Sequence, residues 1–411
     1  MREGAGGKGN SQINPLRERA RTTLRNDLWR SLFMGIIEAG YSSLALLVAI
    51  RHFQASDGAK SLIAGGASIG FLLAPFFLLA ASKSGLTVSR ICAICMVGTA
   101  AGTLCAVWTD QVWTYTLALM ASLILVAQVP SLMVHVYSQN YQQGERGKRF
   151  SGNLMISGAI GACTSLLIGR LLDQDIELYQ HILLGSCAAC LCAAYLHLRI
   201  PSGTLRSKEQ PSLFYDLRLA FRDRFFACML FAWMLMGVGN LITIPLRVEY
   251  IANPVYGIDA TNTVVLVITF IIPAITRILS APVWAFFFDR MNLAFVRISI
   301  NLFFLAGLLL YFNSQTLAWL GFSAALIGCA TGGGSLAWTL WVTKVAPDGR
   351  ESTYMSVHSF FTGVRGVPAP FVGYWILTTL GPEEVAGISA SFIALSSILF
   401  YFLASNQRLR N

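Results

Sequence analysis

The hydrophobic pattern of the chain constrains its fold more than any other feature. About six apolar stretches precede a basic polar stretch from Arg199 to Arg224, and about six more follow it. A helix needs roughly 20 predominantly apolar residues to cross the hydrocarbon core of a bilayer, and these stretches are close to that length. The pattern therefore predicts a polytopic membrane protein made of two similar halves.

The composition agrees with a membrane protein and argues against a nucleic-acid binder. Of the 411 residues, 55% are hydrophobic and 12% are charged, which is about half the charged fraction of a typical soluble domain. The net charge of +10 is distributed among the loops and forms no single basic patch. All nine cysteines fall in apolar stretches, so we interpret them as small residues at helix contacts and predict no disulfide framework.

The charges of the loops orient the predicted spans. Lys and Arg are concentrated in the N-terminal tail, in the even-to-odd loops and at the C-terminus, whereas the opposite loops carry only Arg51, Lys60, Arg170 and Arg247. Because cytoplasmic loops carry an excess of basic residues, both termini are expected to be cytoplasmic. We expect twelve spans, at about 28–50, 61–81, 88–108, 113–137, 151–171, 179–198, 225–246, 262–287, 294–312, 316–342, 353–379 and 386–405.

These spans divide the chain into five regions. Asp27 and Asp223 each precede the first apolar run of a half, where an acidic side chain can cap a helix. No loop is long enough to form a folded domain, so function is expected within the helical bundle or at its mouths. The regions are a basic cytoplasmic tail at 1–27, a six-helix bundle at 28–199, a cytoplasmic linker at 200–224, a second six-helix bundle at 225–405 and a cytoplasmic C-terminus at 406–411.

Short internal repeats stand at equivalent points of the two halves. The loops after the second and eighth spans align at two basic positions, and the fifth and eleventh spans align at a Gly-x-x-Gly pattern. Such internal repeats indicate that the two halves share one architecture. The matched residues are Lys83 with Arg290, Arg90 with Arg297, Gly158 with Gly363, and Gly161 with Gly366.

The second-half loop resembles a motif of the major facilitator superfamily. Asp289-Arg290 followed by Arg297 is similar to that family's short cytoplasmic motif of glycine, acid and basic residues. The leading glycine would fall near Ala285, and Ser82 takes the acidic position in the first half. The resemblance implies an all-α fold of twelve transmembrane helices in two pseudo-symmetric six-helix bundles, related by an axis along the membrane normal and enclosing a central cavity.

The resemblance also implies that these loops gate the cavity. Asp289 can accept hydrogen bonds from the facing helix and pair with Arg297 in one conformation more than in the other. Lys83, Arg90 and Arg290 are the other gating candidates, although all of these basic residues could instead serve only to fix the membrane orientation.

Three ionisable side chains are expected deep in the membrane. Glu38 lies well inside the first span, where an ionised carboxylate is costly unless it faces a cavity, holds a partner or binds a proton. It is the leading candidate for proton coupling, with a structural ion pair as the alternative. Arg277 in the eighth span and Arg365 in the eleventh could bind an anionic group of a substrate or pair with Glu38. The sequence does not separate binding from pairing.

Four further side chains are weaker candidates for contact with a solute or an ion. His358 could relay protons, because an imidazole titrates near neutral pH. Asn240 and Gln128 lie near prolines, and helix packing explains them equally well. Trp338 follows a glycine-rich stretch and could stack on a ligand or belong to the core.

These observations predict a secondary transporter that moves a small organic solute by alternating access. The proton is the coupling ion expected from the family resemblance, and the deep arginines favour a substrate with an anionic group. An exporter of amphipathic or hydrophobic compounds is the alternative within transport, and a non-transporting membrane receptor or scaffold is the alternative from another class. We expect no enzymatic activity, cofactor, metal or nucleic-acid partner, and a monomer in a bacterial inner membrane.

Overall fold

The structure is a computed structural model, and it describes residues 15–205, 222–347 and 350–409. These residues are almost entirely helical, and no strand occurs among them apart from one isolated bridge between Thr87 and Thr204. The expected tail at 1–27, linker at 200–224 and C-terminus at 406–411 lie partly outside the described ranges.

Six helical segments form the first half. The first segment, α1, contains a π-helical turn at Gly40–Leu44 between its two α-helical parts. The segments are α1 at Pro15–Ala39 and Ala45–Arg51, α2 at Asp57–Lys83, α3 at Val88–Val107, α4 at Val112–Val126 and Val129–Asn140, α5 at Gln143–Gln174, and α6 at Tyr179–Arg199.

Six more segments form the second half. The segment α8 also contains a π-helical turn, at Val267–Ile271, and this turn contacts the π-helical turn of α1 across the interface between the halves. The segments are α7 at Arg224–Ala252, α8 at Asn262–Leu266 and Ile272–Arg290, α9 at Leu293–Phe312, α10 at Leu317–Val345, α11 at Glu351–Gly366 and Ala369–Thr379, and α12 at Pro382–Leu403.

The segments occur where the hydrophobic pattern places them. Ten of them are long and apolar enough to cross a membrane. The other two, α1 and α11, carry Glu38 and Arg365, two of the deep ionisable residues found in the sequence. Large apolar side chains such as Leu279 and Phe402 are exposed on the outer surface, as expected for a surface that faces lipid. The expected all-α polytopic fold is thus confirmed.

The first helix begins earlier than the apolar run suggested. Because α1 starts at Pro15, Asp27 lies inside the helix and caps nothing. It is fully buried and accepts hydrogen bonds from Arg30 Nε at 2.7 Å, from Tyr137 Oη at 2.7 Å and from Asn153 Nδ2. This network joins α1, α4 and α5 near the end of the bundle that carries the termini.

Asp223 caps its helix as expected. Its Oδ1 accepts a hydrogen bond from the backbone N–H of Phe226 at 3.1 Å, and its Oδ2 accepts from Tyr354 Oη at 3.0 Å and Arg408 Nη1 at 2.7 Å. Burial by itself raises the pKa of the Asp223 carboxyl, but these hydrogen bonds outweigh burial, so the pKa lies below its ordinary value of 3.8.

The helices of the two halves pack in equivalent pairs. In the first half α1 packs on α5 and α6, α2 packs on α4, and α3 packs on α4 and α6. In the second half α7 packs on α11 and α12, α8 packs on α10, and α9 packs on α10 and α12. Adding six to each helix number converts the first set into the second, which is the relation expected of a duplicated bundle.

The repeated glycines lie where the halves meet. Helix α5 crosses α8, and helix α2 crosses α11, so the two crossings are also equivalent. A methyl group added at Gly363 would lie 2.6 Å from Leu72 N of α2, and one added at Gly161 would lie 3.2 Å from Phe270 of α8. Glycine at these positions therefore allows the helices of opposite halves to approach closely.

Candidate functional site

The end of the bundle opposite the termini, called here the far end, is closed by polar contacts between the halves. Arg51, at the end of α1, donates from Nη1 to Asn262 Oδ1 at 2.6 Å and from Nη2 to the carbonyl of Ala252 at 3.2 Å. It also reaches Asp259 Oδ1 at 3.4 Å. One guanidinium of the first half thus holds the end of α7 and the start of α8.

A second contact at the far end joins α5 to α8. The Asp173 carboxylate accepts hydrogen bonds from the backbone N–H groups of Asn262 at 2.6 Å and Thr263 at 3.1 Å. Asn262 Nδ2 donates in return to the carbonyl of Leu172 at 2.8 Å. An acid from one half therefore caps a helix of the other half, where the helix dipole favours negative charge.

The most deeply buried contact of the far end is an ion pair. Lys60 Nζ of α2 lies 2.8 Å from Glu249 Oε1 of α7, and the two residues are 6% and 1% exposed. Glu249 also accepts from Asn253 Nδ2 at 2.7 Å and from Tyr374 Oη at 3.3 Å. Lys60 has a second, half-exposed partner in Asp57 at 3.0 Å. The pair thus connects α2 of the first half with α7 and α11 of the second.

The hydrogen bonds and ion pairs between the halves that are given above all lie at this far end. Near the termini, the described ion pairs instead join residues of one half, as Asp27 with Arg30 and Asp223 with Arg408 do. The far-end contacts therefore hold the two halves together at that end.

Glu38 and Arg277 flank the same turn of α5 from opposite halves. Ser157 Oγ of α5 donates to Glu38 Oε2 at 3.3 Å. A methyl group added at the next residue, Gly158, would lie 3.6 Å from Arg277 Nη2 of α8. Both charged side chains are half-buried, and neither forms an ion pair with any described residue. The structure therefore brings together an acid and a base predicted from the sequence without pairing them.

Arg365 points into the second half, away from this turn. Its Nη1 donates to the carbonyl of Trp233, and its guanidinium lies directly against Gly237 of α7, where any side chain would collide with it. Arg365 is 8% exposed. In this conformation it does not reach Glu38, so neither of the expected pairs of Glu38 is formed.

His358 is enclosed by aromatic rings. It is fully buried, and its ring centroid lies 5.2 Å from that of Trp338, 5.3 Å from that of Trp341 and 5.6 Å from that of Trp233. Neither ring nitrogen of His358 has a hydrogen-bond partner among the described residues. Trp338 therefore belongs to an aromatic cluster of the second half.

The two amide candidates differ in their surroundings. Gln128 is buried and donates from Nε2 to the carbonyls of Gly70 at 2.8 Å and Ile124 at 2.9 Å, which ties α4 to α2. Asn240 is half-buried on α7, and its Oδ1 has no partner among the described residues. No group of His, Cys, Asp and Glu residues in the described chain is arranged to hold a metal ion.

The gating candidates separate into exposed and buried residues. Lys83, Arg90, Asp289 and Arg290 are exposed at the end of the bundle that carries the termini. Arg297 is 1% exposed, because it follows the first turn of α9 and points into the second half, where its Cζ lies 4.1 Å from the ring centroid of Trp233. The pair of Asp289 with Arg297 that the resemblance implies is not formed in this conformation.

The far-end contacts are the part of the site that sequence reasoning missed. Arg51 and Lys60 entered that reasoning only as loop charges, and Glu249 did not enter it. The available signal was the rarity of a carboxylate inside an apolar run, since Glu249 lies within α7, three residues before its last residue.

Comparisons with known proteins agree with this architecture. A family model described as Major Facilitator Superfamily matches residues 30–370. A search of curated proteins found no match. Among solved structures, the nucleoside transporter NupG superposes with a TM-score of 0.72 at 15% identity, covering 94% of this chain and 100% of that one.

Two other solved structures show the same fold. A D-xylose-proton symporter superposes with a TM-score of 0.68 at 14% identity, covering 93% of this chain and 97% of that one. A POT family transporter, solved in complex with a thioalcohol conjugated peptide, has a TM-score of 0.72 at 11% identity and covers 92% and 95% of the two chains. With two equivalent six-helix halves and a family model that spans most of its length, this chain belongs to the major facilitator superfamily, a family of membrane transporters.

Proposed function

We propose that the protein is a secondary active transporter that moves a small organic solute by alternating access, coupled to protons. The observation that carries the proposal is the set of polar contacts that joins the two halves at the far end. A carrier that opens to one side at a time needs a set of contacts that closes one end and breaks when the other end closes.

The orientation of the chain in the membrane determines which side of the membrane each end of the bundle faces. If both termini are cytoplasmic, as the loop charges predict, the far end faces the outside. The structure then corresponds to an inward-facing conformation of a carrier in a bacterial inner membrane.

The turn of α5 that Glu38 and Arg277 flank is the proposed site of coupling and substrate recognition. Each of the three helices there supplies one polar element: Glu38 from α1, Ser157 from α5 and Arg277 from α8. A carboxylate without a cationic partner can serve as the group that binds the coupling proton. An unpaired guanidinium can bind an anionic group of a solute in a bidentate manner.

The substrate class follows from this pair of charges. Similar structures include a nucleoside transporter, a sugar-proton symporter and a transporter bound to a peptide. Of these chemistries, a small polar solute with a carboxylate or another anionic group fits Arg277 best, so we propose that class.

The proposal can be tested with the full chain in proteoliposomes that contain a pH-sensitive dye. Addition of the transported solute to wild-type vesicles is expected to move protons together with the solute. Glu38→Gln is expected to abolish the proton movement while solute exchange continues, and Arg277→Gln is expected to weaken solute binding. Glu383→Gln is the matched control, because Glu383 is an exposed acid near the start of α12.

Two results would contradict the proposal. Proton movement that persists in Glu38→Gln would remove the coupling role of that residue. The absence of flux for every carboxylate, nucleoside, sugar and peptide tested in wild-type vesicles would remove the transport proposal for small polar solutes.

A further inference from the structure

A cluster of buried hydrogen-bond donors lies inside the second half, apart from the turn of α5. It centres on Trp233 of α7. Arg297 of α9 stacks on the ring of Trp233 at 4.1 Å, and Arg365 of α11 donates to its carbonyl. His358 lies against the same ring, and Trp341 of α10 lies 5.7 Å from it. Four helices thus direct polar side chains to one interior point.

These donors lack acceptors. All three guanidinium nitrogens of Arg297 are buried without a hydrogen-bond partner among the described residues, and so is Arg365 Nε. The Nε1 donors of Trp233 and of Trp341 also lack partners, and so do both ring nitrogens of His358, of which one carries a hydrogen in the neutral ring. Buried polar groups in native proteins nearly always have partners, so a concentration of unpaired donors at one point requires an explanation.

Stacking on an aromatic ring does not supply the missing partners. The attraction between Arg297 and Trp233 uses the flat face of the guanidinium. The five N–H groups of an arginine lie in the plane of the guanidinium and point outward from its edge. They still need acceptors after the ring has covered one face.

No described acid neutralises the cluster. Neither Arg297 nor Arg365 forms an ion pair with a described residue. Asp223 lies in the same corner of the bundle, connected through Tyr354 and Phe226 to Trp341, but its carboxylate already accepts hydrogen bonds from Tyr354 and Arg408. The two arginines therefore leave an uncompensated positive charge inside the protein.

We propose that this cluster, formed by Arg297, Arg365, His358, Trp233 and Trp341, is an internal binding site for a small inorganic anion. An anion supplies both the acceptors and the negative charge that the cluster lacks. It must be small, because Arg297, His358 and Trp341 are at most 1% exposed. The site is distinct from the turn that Glu38 and Arg277 flank, and the proposal does not depend on which solute is transported.

The test measures the thermal unfolding midpoint of the full chain in lipid nanodiscs at constant ionic strength. Chloride and phosphate are each titrated against gluconate, which is too large for the site. In the wild type, one of the two small anions is expected to raise the midpoint in a saturable manner, because a ligand that binds only the folded state stabilises it. Whichever anion acts identifies the ligand as a halide or an oxyanion.

Arg297→Met keeps an apolar stem that reaches about as far as Nε and removes the donors and the charge. This variant is expected to raise the apparent dissociation constant of the anion at least about tenfold, since each hydrogen bond to a charged group contributes on that scale. In gluconate the same variant is expected to melt higher than the wild type, because it removes an unpaired buried charge. Arg290→Met is the matched control, since Arg290 is an exposed arginine that stacks on Phe286 at 4.1 Å, and it should keep the wild-type anion response.

A second measurement keeps the proposal testable if Arg297→Met does not fold. Crystals soaked in bromide should show an anomalous scattering peak within hydrogen-bond distance of Arg297 or His358, and His358→Phe should weaken the anion response while preserving the ring packing. The proposal is overturned if neither anion raises the wild-type midpoint. It is also overturned if the anion response is unchanged in Arg297→Met. Should that variant not fold, an unchanged response in His358→Phe overturns it instead.

Discussion

Removing Lys60 should release the far end of the carrier. Lys60→Met leaves the carboxylate of Glu249 buried, with only its neutral hydrogen bonds from Asn253 and Tyr374. Breaking a buried ion pair from one side typically costs about 3–5 kcal/mol, and the remaining hydrogen bonds favour the lower value. Asp57 adds little to this cost, because its side chain is 44% exposed.

This cost applies only to the conformation in which the far end is closed. A loss of about 3 kcal/mol shifts the equilibrium between the two conformations roughly a hundredfold toward the one in which the far end is open. The contacts of Arg51 and Asp173 remain, so Lys60→Met is expected to populate both conformations. If the wild type already populates the two equally, the variant is expected to be almost entirely open at the far end.

Distances between spin labels across the far end would measure this shift. Gln174 of α5 and Val255 after α7 are exposed and belong to opposite halves, so cysteines introduced there can carry the labels. The exposed natural cysteines Cys105, Cys163 and Cys192 of the first half, together with Cys228 of the second, must first be replaced by serine. Double electron–electron resonance should then show a longer distance in Lys60→Met than in the wild type.

The charge-swapped pair provides the control. Lys60→Glu combined with Glu249→Lys restores opposite charges at the same positions and should return the distance distribution most of the way to that of the wild type. An unchanged distribution in Lys60→Met would refute the reasoning, because it would mean that the ion pair does not distinguish the two conformations.

Three further predictions concern stability and the proposed coupling site. Gly363→Ala should lower the unfolding midpoint in a thermal melt, since the new methyl group would lie 2.6 Å from a backbone nitrogen of α2. Gly387→Ala is the control, because its methyl group would have no neighbouring atom within 4 Å, and it should be neutral or slightly stabilising. Asp223→Ala should cost about 1 kcal/mol at neutral pH. Because the folded pKa of Asp223 is lowered, its contribution is complete above pH 3.8 and is lost as the pH falls below that value. The difference in stability between wild type and variant, followed by thermal melts across pH, should therefore shrink in acid. Ser157→Ala removes the hydrogen bond to Glu38 and should slow solute-driven proton movement in proteoliposomes. A rate equal to that of the wild type would contradict a coupling role for this contact.

The sequence predicted the architecture well because the bilayer imposes strong local constraints. Span length and loop charge depend on neighbouring residues alone, so all the helical segments could be placed from the pattern. The Gly-x-x-Gly repeat was also informative, since Gly158 and Gly363 turned out to lie at the two equivalent crossings between the halves.

The pairings could not be predicted, because they depend on which helices meet. Lys60 and Glu249 are far apart in the chain, and neither residue indicates the other. Arg297 follows an acidic and basic loop that resembles a gating motif, yet the direction of its side chain is set by the packing of α9 against the rest of the second half. Glu38 and Arg277 were identified because a charged residue inside an apolar run is conspicuous. That they lie on either side of one turn of α5 could be seen only in the folded structure.

The π-helical turns of α1 and α8 mark positions where the winding of a membrane helix departs from the α-helix. A π turn holds one residue more than an α-helical turn, and relaxing it shifts the register of the adjoining helix by one residue, a rotation of about 100°. Glu38 stands two residues before the π turn of α1. Unwinding that turn would rotate the Glu38 carboxylate relative to Ser157 without a movement of the whole bundle, so the geometry of the proposed coupling site depends on the local winding of α1 as well as on the packing of the two halves.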